Sequence, residues 1–270
     1  MARIQMNYYS DSLKSNTNVN IILPTPTSDE FVNHKDIGYF RDGVCYQVLY
    51  LLHGTYGDDT EWCRLTSIER YVQRYKLAVI MPSCANSYYY DMFAGPKYFT
   101  FLTEELPLYL SRLFPISGRR EDTFIAGLSM GGYGAWYIAV SKPGQYAAAA
   151  NLSGDLDLLN HLKMDSAQKG PWPFQAIFED FDPKAFCDSE NNLMVKLKKQ
   201  VASDACLPRL FHTVGTEDPL HKKTAKYKQT MVDLGIDVCF EECSGIHDWA
   251  FWDTNIQRAL EWFQLKGTTV

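Results

Sequence analysis

The chain has 270 residues, 46% of them hydrophobic and 21% charged, with a formal net charge of −6 at pH 7. This is the composition of a folded globular chain with material for a large core, and it excludes fibrous, low-complexity and disordered classes. The acidic balance, with no basic stripe, argues against nucleic acid as a partner, because phosphate binding needs clustered Lys and Arg.

Met1–Ser10 has no apolar core of signal-peptide length, and no apolar run is long enough to span a bilayer, so a cytoplasmic protein that does not engage membranes is expected. Seven cysteines without metal-ligand spacing read as free thiols in a reducing compartment. The predicted elements open with two antiparallel strands near Gln5–Tyr9 and Asn18–Leu23. Short apolar runs that stop at turn residues then mark strands at 46–52, 77–81, 123–126, 146–152, 207–214 and 236–240. Segments with helical spacing lie between them, at 68–75, 99–114, 132–140, 222–234 and 249–263.

This alternation predicts the α/β class: a mostly parallel central sheet of about eight strands, with helices on both faces and a ligand site beyond the carboxyl ends of the strands. Residues 155–205 break the rhythm with turn-rich Gly170-Pro171-Trp172-Pro173 and a run of phenylalanines. They read as a small cap insertion, with a helix near Asn191–Val201, in an otherwise single domain spanning 1–270.

Gly127-Leu128-Ser129-Met130-Gly131 follows a strand and precedes a helix, the setting in which a nucleophilic serine is held on a sharp turn between small neighbours. The partners of such a serine follow it as acid and then histidine, each in a loop after a late strand. His247, in Gly245-Ile246-His247-Asp248-Trp249, is the expected general base. Asp218, in Gly215-Thr216-Glu217-Asp218-Pro219, is the expected orienting carboxylate, with Glu217 and the more distant Asp155 as rivals. Asp248 and Asp253 read as caps of the last helix, and His34, His161, His212 and His221 as surface or packing residues.

Attack on an ester carbonyl needs an oxyanion hole, assigned to the backbone N–H groups of Met130 and Thr55, with His53 fixing the second loop. Tyr88, Tyr89, Trp172 and Phe174 are expected to wall an aromatic substrate pocket.

The sequence resembles the esterase D-type group of α/β-hydrolases, in particular its bacterial tributyrin and acetyl esterase branch with feruloyl esterase-like relatives. The likeness is carried by Leu51-Leu52-His53-Gly54, Asn86-Ser87-Tyr88-Tyr89, Gly127-Leu128-Ser129-Met130-Gly131-Gly132-Tyr133-Gly134, Leu152-Ser153-Gly154, Gly215-Thr216-Glu217-Asp218, and His247-Asp248-Trp249 with Trp252. It implies the α/β-hydrolase fold and hydrolysis of short acyl esters, acetyl or cinnamoyl, on small-molecule or oligosaccharide alcohols. It also implies no metal or organic cofactor and a dimer or tetramer. His53-Gly54-Thr55-Tyr56 departs from the Ser-Gly-Leu-Thr-Cys stretch associated with S-formylglutathione hydrolases. A thioesterase of that kind, or an acyltransferase using the same acyl-enzyme, are the alternatives.

Overall fold

The computed structural model describes residues 1–35, 38, 39, 41–159, 161, 162, 174–179, 182–203 and 205–269. The main sheet has strands β1 (Ala2–Ser10), β2 (Ser15–Leu23), β3 (Val48–Leu52), β4 (Ala78–Pro82), β5 (Thr123–Leu128), β6 (Ala148–Leu152), β7 (Arg209–Gly215) and β8 (Val238–Cys243). Their spatial order is β1-β2-β4-β3-β5-β6-β7-β8. β1 and β2 form an antiparallel ribbon, β2 runs antiparallel to β4, and every later neighbour is parallel. This is the α/β-hydrolase fold.

The central strands are buried on both faces, which is why they read as continuous apolar runs rather than alternating ones. Period two sorts their side chains into two cores. Val48, Tyr50 and Leu52 of β3, with Ile125 of β5, face one core. That core also contains helix α2 (Leu106–Leu113), α3 (Met130–Ser141), α4 (Leu193–Ala202) and α5 (His221–Asp233). Leu49 and Leu51, with Phe124, Ala126 and Leu128, face the other core, which is shared with α1 (Ile68–Gln73) and α6 (Trp249–Trp262).

α3 is buried along nearly its whole length, with no polar face. It lies in the middle of the molecule, where an amphipathic helix would leave charges stranded. The predicted helix at 99–114 forms with a difference: residues Phe101–Glu105 adopt a π-helical turn before α2.

In the insertion, short helices occupy Phe174–Ile177 and Pro183–Asp188, followed by α4, which Asn192 caps at its N-terminus. The insertion is tied to the body by backbone bonds from Phe93 N–H to Ile177 O (3.0 Å) and Ala94 N–H to Ala176 O (2.9 Å). A further bond runs from the Tyr90 hydroxyl to Asn191 O (2.5 Å). Among the described residues no helix is long and apolar enough to cross a membrane.

Candidate active site

Because β3, β5, β6, β7 and β8 are parallel, the loops that follow them leave the sheet on one edge. Ser129 sits at the turn after β5 with φ 51° and ψ −118°, a left-handed conformation that costs an L-residue about 1–3 kcal/mol and persists only where the surroundings enforce it. The enforcement is visible. Ser129 N–H donates to Leu152 O (2.8 Å), and its carbonyl accepts from Tyr133 N–H (3.1 Å). A side chain at Gly127 would strike the Gly131 backbone at 2.3 Å, and one at Gly131 would strike His53 O at 2.5 Å, so strand, helix and neighbouring loop close on the serine only through glycine. Tyr56, Tyr88, Tyr89 and Ser153 also have positive φ, and strain of this kind gathers where loops are bent to aim side chains.

The structure brings Ser129, His247 and Asp218 into one row. His247 Nε2 lies 3.0 Å from Ser129 Oγ, and His247 Nδ1 lies 2.7 Å from Asp218 Oδ2. The Asp218 side chain is fully buried and its Oδ1 accepts from Leu220 N–H (2.8 Å). Burial pushes the Asp218 carboxyl up, but the bonds from His247 and Leu220 and the charge of the imidazole outweigh it, leaving the carboxyl below its ordinary range.

Glu217, the rival, turns outward. Its Oε2 accepts from Gly245 N–H (2.7 Å), and Glu217 N–H donates to Gly245 O (3.1 Å), so it laces the acid loop to the histidine loop. His247 stands edge-to-face on Trp252, with ring centroids 5.0 Å apart.

Asp248 caps α6 by accepting from Phe251 N–H (2.9 Å). Asp253 does not cap: it lies inside α6 and accepts from Tyr71 OH (2.9 Å) and Ser67 N–H (3.2 Å), joining α6 to α1.

His53 holds the loop after β3. Cys84 N–H donates to His53 Nε2 (2.9 Å), so the ring proton is on Nδ1, which donates to Gly54 O (2.7 Å). Burial lowers the His53 pKa and keeps the ring neutral. Gly54 O also accepts from Gly57 N–H (3.1 Å). In a trans peptide the N–H points opposite the carbonyl, so this anchoring turns Thr55 N–H to the other side, and Thr55 lines both cavities that meet Ser129. Met130 begins α3, where the first N–H groups have no acceptor within the helix.

Of the expected pocket walls, Tyr88 lines a cavity of about 260 Å³ with Met130, Tyr133, Asp155, His161 and Leu220. Tyr89 does not. Its hydroxyl donates to His53 O (2.6 Å) and its ring covers Gly134, so it braces the loop after β3 from inside the core. Phe174 is likewise fully buried, behind Tyr88 (centroids 5.2 Å apart) and stacked on Phe178. Trp172 lies outside the described residues.

Sequence reasoning passed over His161 and kept Asp155 only as a rival acid, yet both face this cavity. Asp155 accepts from His161 Nε2 (3.0 Å), Asp157 N–H (3.1 Å), Lys223 and the Tyr227 hydroxyl. Burial raises its pKa, and the bonds from His161, Lys223 and Tyr227 overcome this to set it at about 2. Since the ordinary value is 3.8, the carboxylate contributes stability that is fully present above that pH and is lost as pH falls towards 2. Asp155→Asn should therefore lower stability at pH 7 by about 2 kcal/mol, roughly 5 °C in Tm, and the gap from wild type should shrink between pH 4 and pH 2. Melting curves across that range check this; a gap independent of pH would assign the loss to packing alone.

Among the described residues no cluster of three or more His, Cys, Asp or Glu side chains could hold a metal ion. An α/β-hydrolase sheet carrying a strained, histidine-bonded serine at the elbow after β5 defines the class of serine hydrolases. The model of the family described as "Putative esterase" matches residues 10–263. The chain is 33% identical to an acetyl esterase of Caldicellulosiruptor saccharolyticus, over 97% of this chain and 98% of that one. Among solved structures it is similar to FphF, a fluorophosphonate-binding serine hydrolase of Staphylococcus aureus, with TM-score 0.82, 31% identity, and 97% and 98% of the two chains covered. It is also similar to the S-formylglutathione hydrolase FrmB of the same organism, with TM-score 0.83, 32% identity and the same coverage. The chain belongs to this esterase family and is a carboxylic ester hydrolase.

Proposed function

We propose that the protein hydrolyses short acyl esters, acetyl foremost, on carbohydrate-type alcohols, with Ser129 as nucleophile, His247 as general base and Asp218 as the group that orients it. The observation that carries this reading is the unbroken hydrogen-bonded row from Asp218 through His247 to Ser129.

In the proposed reaction His247 Nε2 takes the Ser129 proton as Oγ attacks the carbonyl carbon, and Asp218 stabilises the imidazolium that forms. The N–H groups of Met130 and Thr55 receive the oxyanion. Collapse expels the alcohol, which takes the proton from His247, and leaves an acyl group on Ser129. Water, deprotonated by the same nitrogen, then attacks the acyl-enzyme and releases the acid.

The cavity that Tyr88, Tyr133 and Leu220 line also has the buried Met130 and Asp155 in its wall, and its volume of about 260 Å³ suits a short acyl group. The insertion after β6 acts in this reading as its cap.

A panel of 4-nitrophenyl esters of rising acyl length, run beside acetylated xylo-oligosaccharides and methyl ferulate, tests the proposal. The expected result is the highest kcat/KM for acetyl, with a fall beyond butyryl. A preference for octanoyl or for ferulate over acetyl would overturn the acyl assignment. Product analysis with added sugar acceptors separates hydrolysis from acyl transfer.

A further inference from the structure

A second cavity, of about 410 Å³, also meets Ser129 and is lined by Glu61, Leu128, Asp248, Trp249 and Trp252 along with Gly54, Thr55 and His247. Its lining includes the segment where His247 leads into α6, and Glu61, Asp248 and Trp249 are half-buried, so a group seated there meets partly exposed side chains. The cavity that Asp155 lines is the smaller of the two, about 260 Å³. A short acyl group therefore suits the smaller cavity, and the departing alcohol, which need not be small, suits the larger one.

The electrostatics of the larger cavity are one-sided. Glu61 and Asp248 both line it, and no Lys or Arg is among its described lining residues. Asp248 is committed to capping Phe251 N–H. The Glu61 carboxylate, by contrast, has no hydrogen bond or ion pair among the described residues, and its charged neighbours are Asp58 and Arg64. Arg64 is exposed, and its Nε is already bound to Thr60 Oγ1 (2.9 Å). A half-buried carboxylate without a donor is stabilised by a ligand that brings one and is destabilised by a second anion. The rings of Trp249 and Trp252, set edge-to-face at 5.4 Å, supply an apolar surface that tolerates neutral or cationic groups.

We infer that this cavity receives the leaving group and, through Glu61 and Asp248, selects neutral or cationic leaving groups over anionic ones. The inference rests on the hydrolase reading above. It separates this chain by charge from an enzyme whose leaving group is glutathione, which carries two carboxylates.

The test uses acetyl thioesters, which share the acyl group and the leaving sulfur, with thiol release as readout. S-acetylglutathione is compared with its diethyl ester, of similar size with both carboxylates masked, and with acetylthiocholine and S-acetyl-N-acetylcysteamine. At low ionic strength kcat/KM for S-acetylglutathione is expected at least about 10-fold below that of its diethyl ester, with the gap closing as salt is raised to about 0.5 M. Glu61→Gln, checked for an unchanged Tm, should narrow the same ratio by about 3-fold or more. Equal rates for the two glutathione esters, or a ratio insensitive to both salt and Glu61→Gln, overturn the inference while the hydrolase reading stands. Absence of turnover of these thioesters and of 4-nitrophenyl acetate alike would instead remove the hydrolase reading.

Discussion

Ser129→Ala should lower ester turnover by about 10⁴-fold or more and abolish labelling by a fluorophosphonate probe, with the protein still folded. The loss follows from chemistry alone: without Oγ there is no atom to form the acyl-enzyme, and the residual rate is what the oxyanion donors and binding supply to water. The fold should survive because the side chain contributes a single hydrogen bond, to His247, while the backbone bonds of residue 129 to Leu152 and Tyr133 are untouched. Alanine carries the same left-handed strain as serine. Glycine does not, so Ser129→Gly should be equally inactive but about 1 kcal/mol more stable. Turnover of 4-nitrophenyl acetate by the alanine variant at the wild-type rate would remove Ser129 from the reaction.

Asp218→Asn should cost about 10³–10⁴-fold in kcat, and the structure supplies the reason. Oδ1 of this side chain accepts from Leu220 N–H, while Oδ2 faces His247 Nδ1. An asparagine keeps its carbonyl oxygen on Leu220, because the alternative opposes two donors, and so presents its amide N–H to the imidazole. Nδ1 then becomes an acceptor, the proton moves to Nε2, and Nε2 can no longer take the proton of Ser129. Glu217→Gln is the contrast. That side chain is exposed and holds Gly245 N–H, so its loss should loosen the histidine loop at a cost below about 10-fold in kcat. If Asp218→Asn stayed within 10-fold of wild type while Glu217→Gln fell by thousands, the two carboxylates would have to exchange roles.

The adjacency of Glu217 and Asp218 shows where sequence reading stops. A loop after a late strand, rich in glycine and acid, is legible as the place for the carboxylate, but two neighbouring residues in a turn have no periodicity to say which points inward. The same is true of Tyr88 and Tyr89. Both have positive φ, and one faces the cavity while the other lies beneath the loop after β3.

Asp253 illustrates a second kind of miss. An acid near a helix start suggests a cap, yet Asp248 already fills that position and Asp253 is one turn too far along, free to bridge to Tyr71 and Ser67 on the adjacent α1 segment. His161 and Glu61 carried no local signal at all. They come within reach of Ser129 through chain folding across 32 and 68 residues of sequence.

The sequence by itself determined the class of fold, the order of its strands and helices and the serine at the elbow, because these depend on local pattern: apolar runs of strand length, helical spacing, and glycines where backbones must touch. It also pointed to the loops that carry His247 and Asp218, since a parallel sheet delivers every later loop to one edge. Only the tertiary structure decided which loop side chains face the serine, the tautomer of His53, the Asp155 cluster and the two cavities of differing size and lining charge. Those depend on the direction of side chains in strained turns and on contacts between residues far apart in the chain, and neither is written in a local pattern.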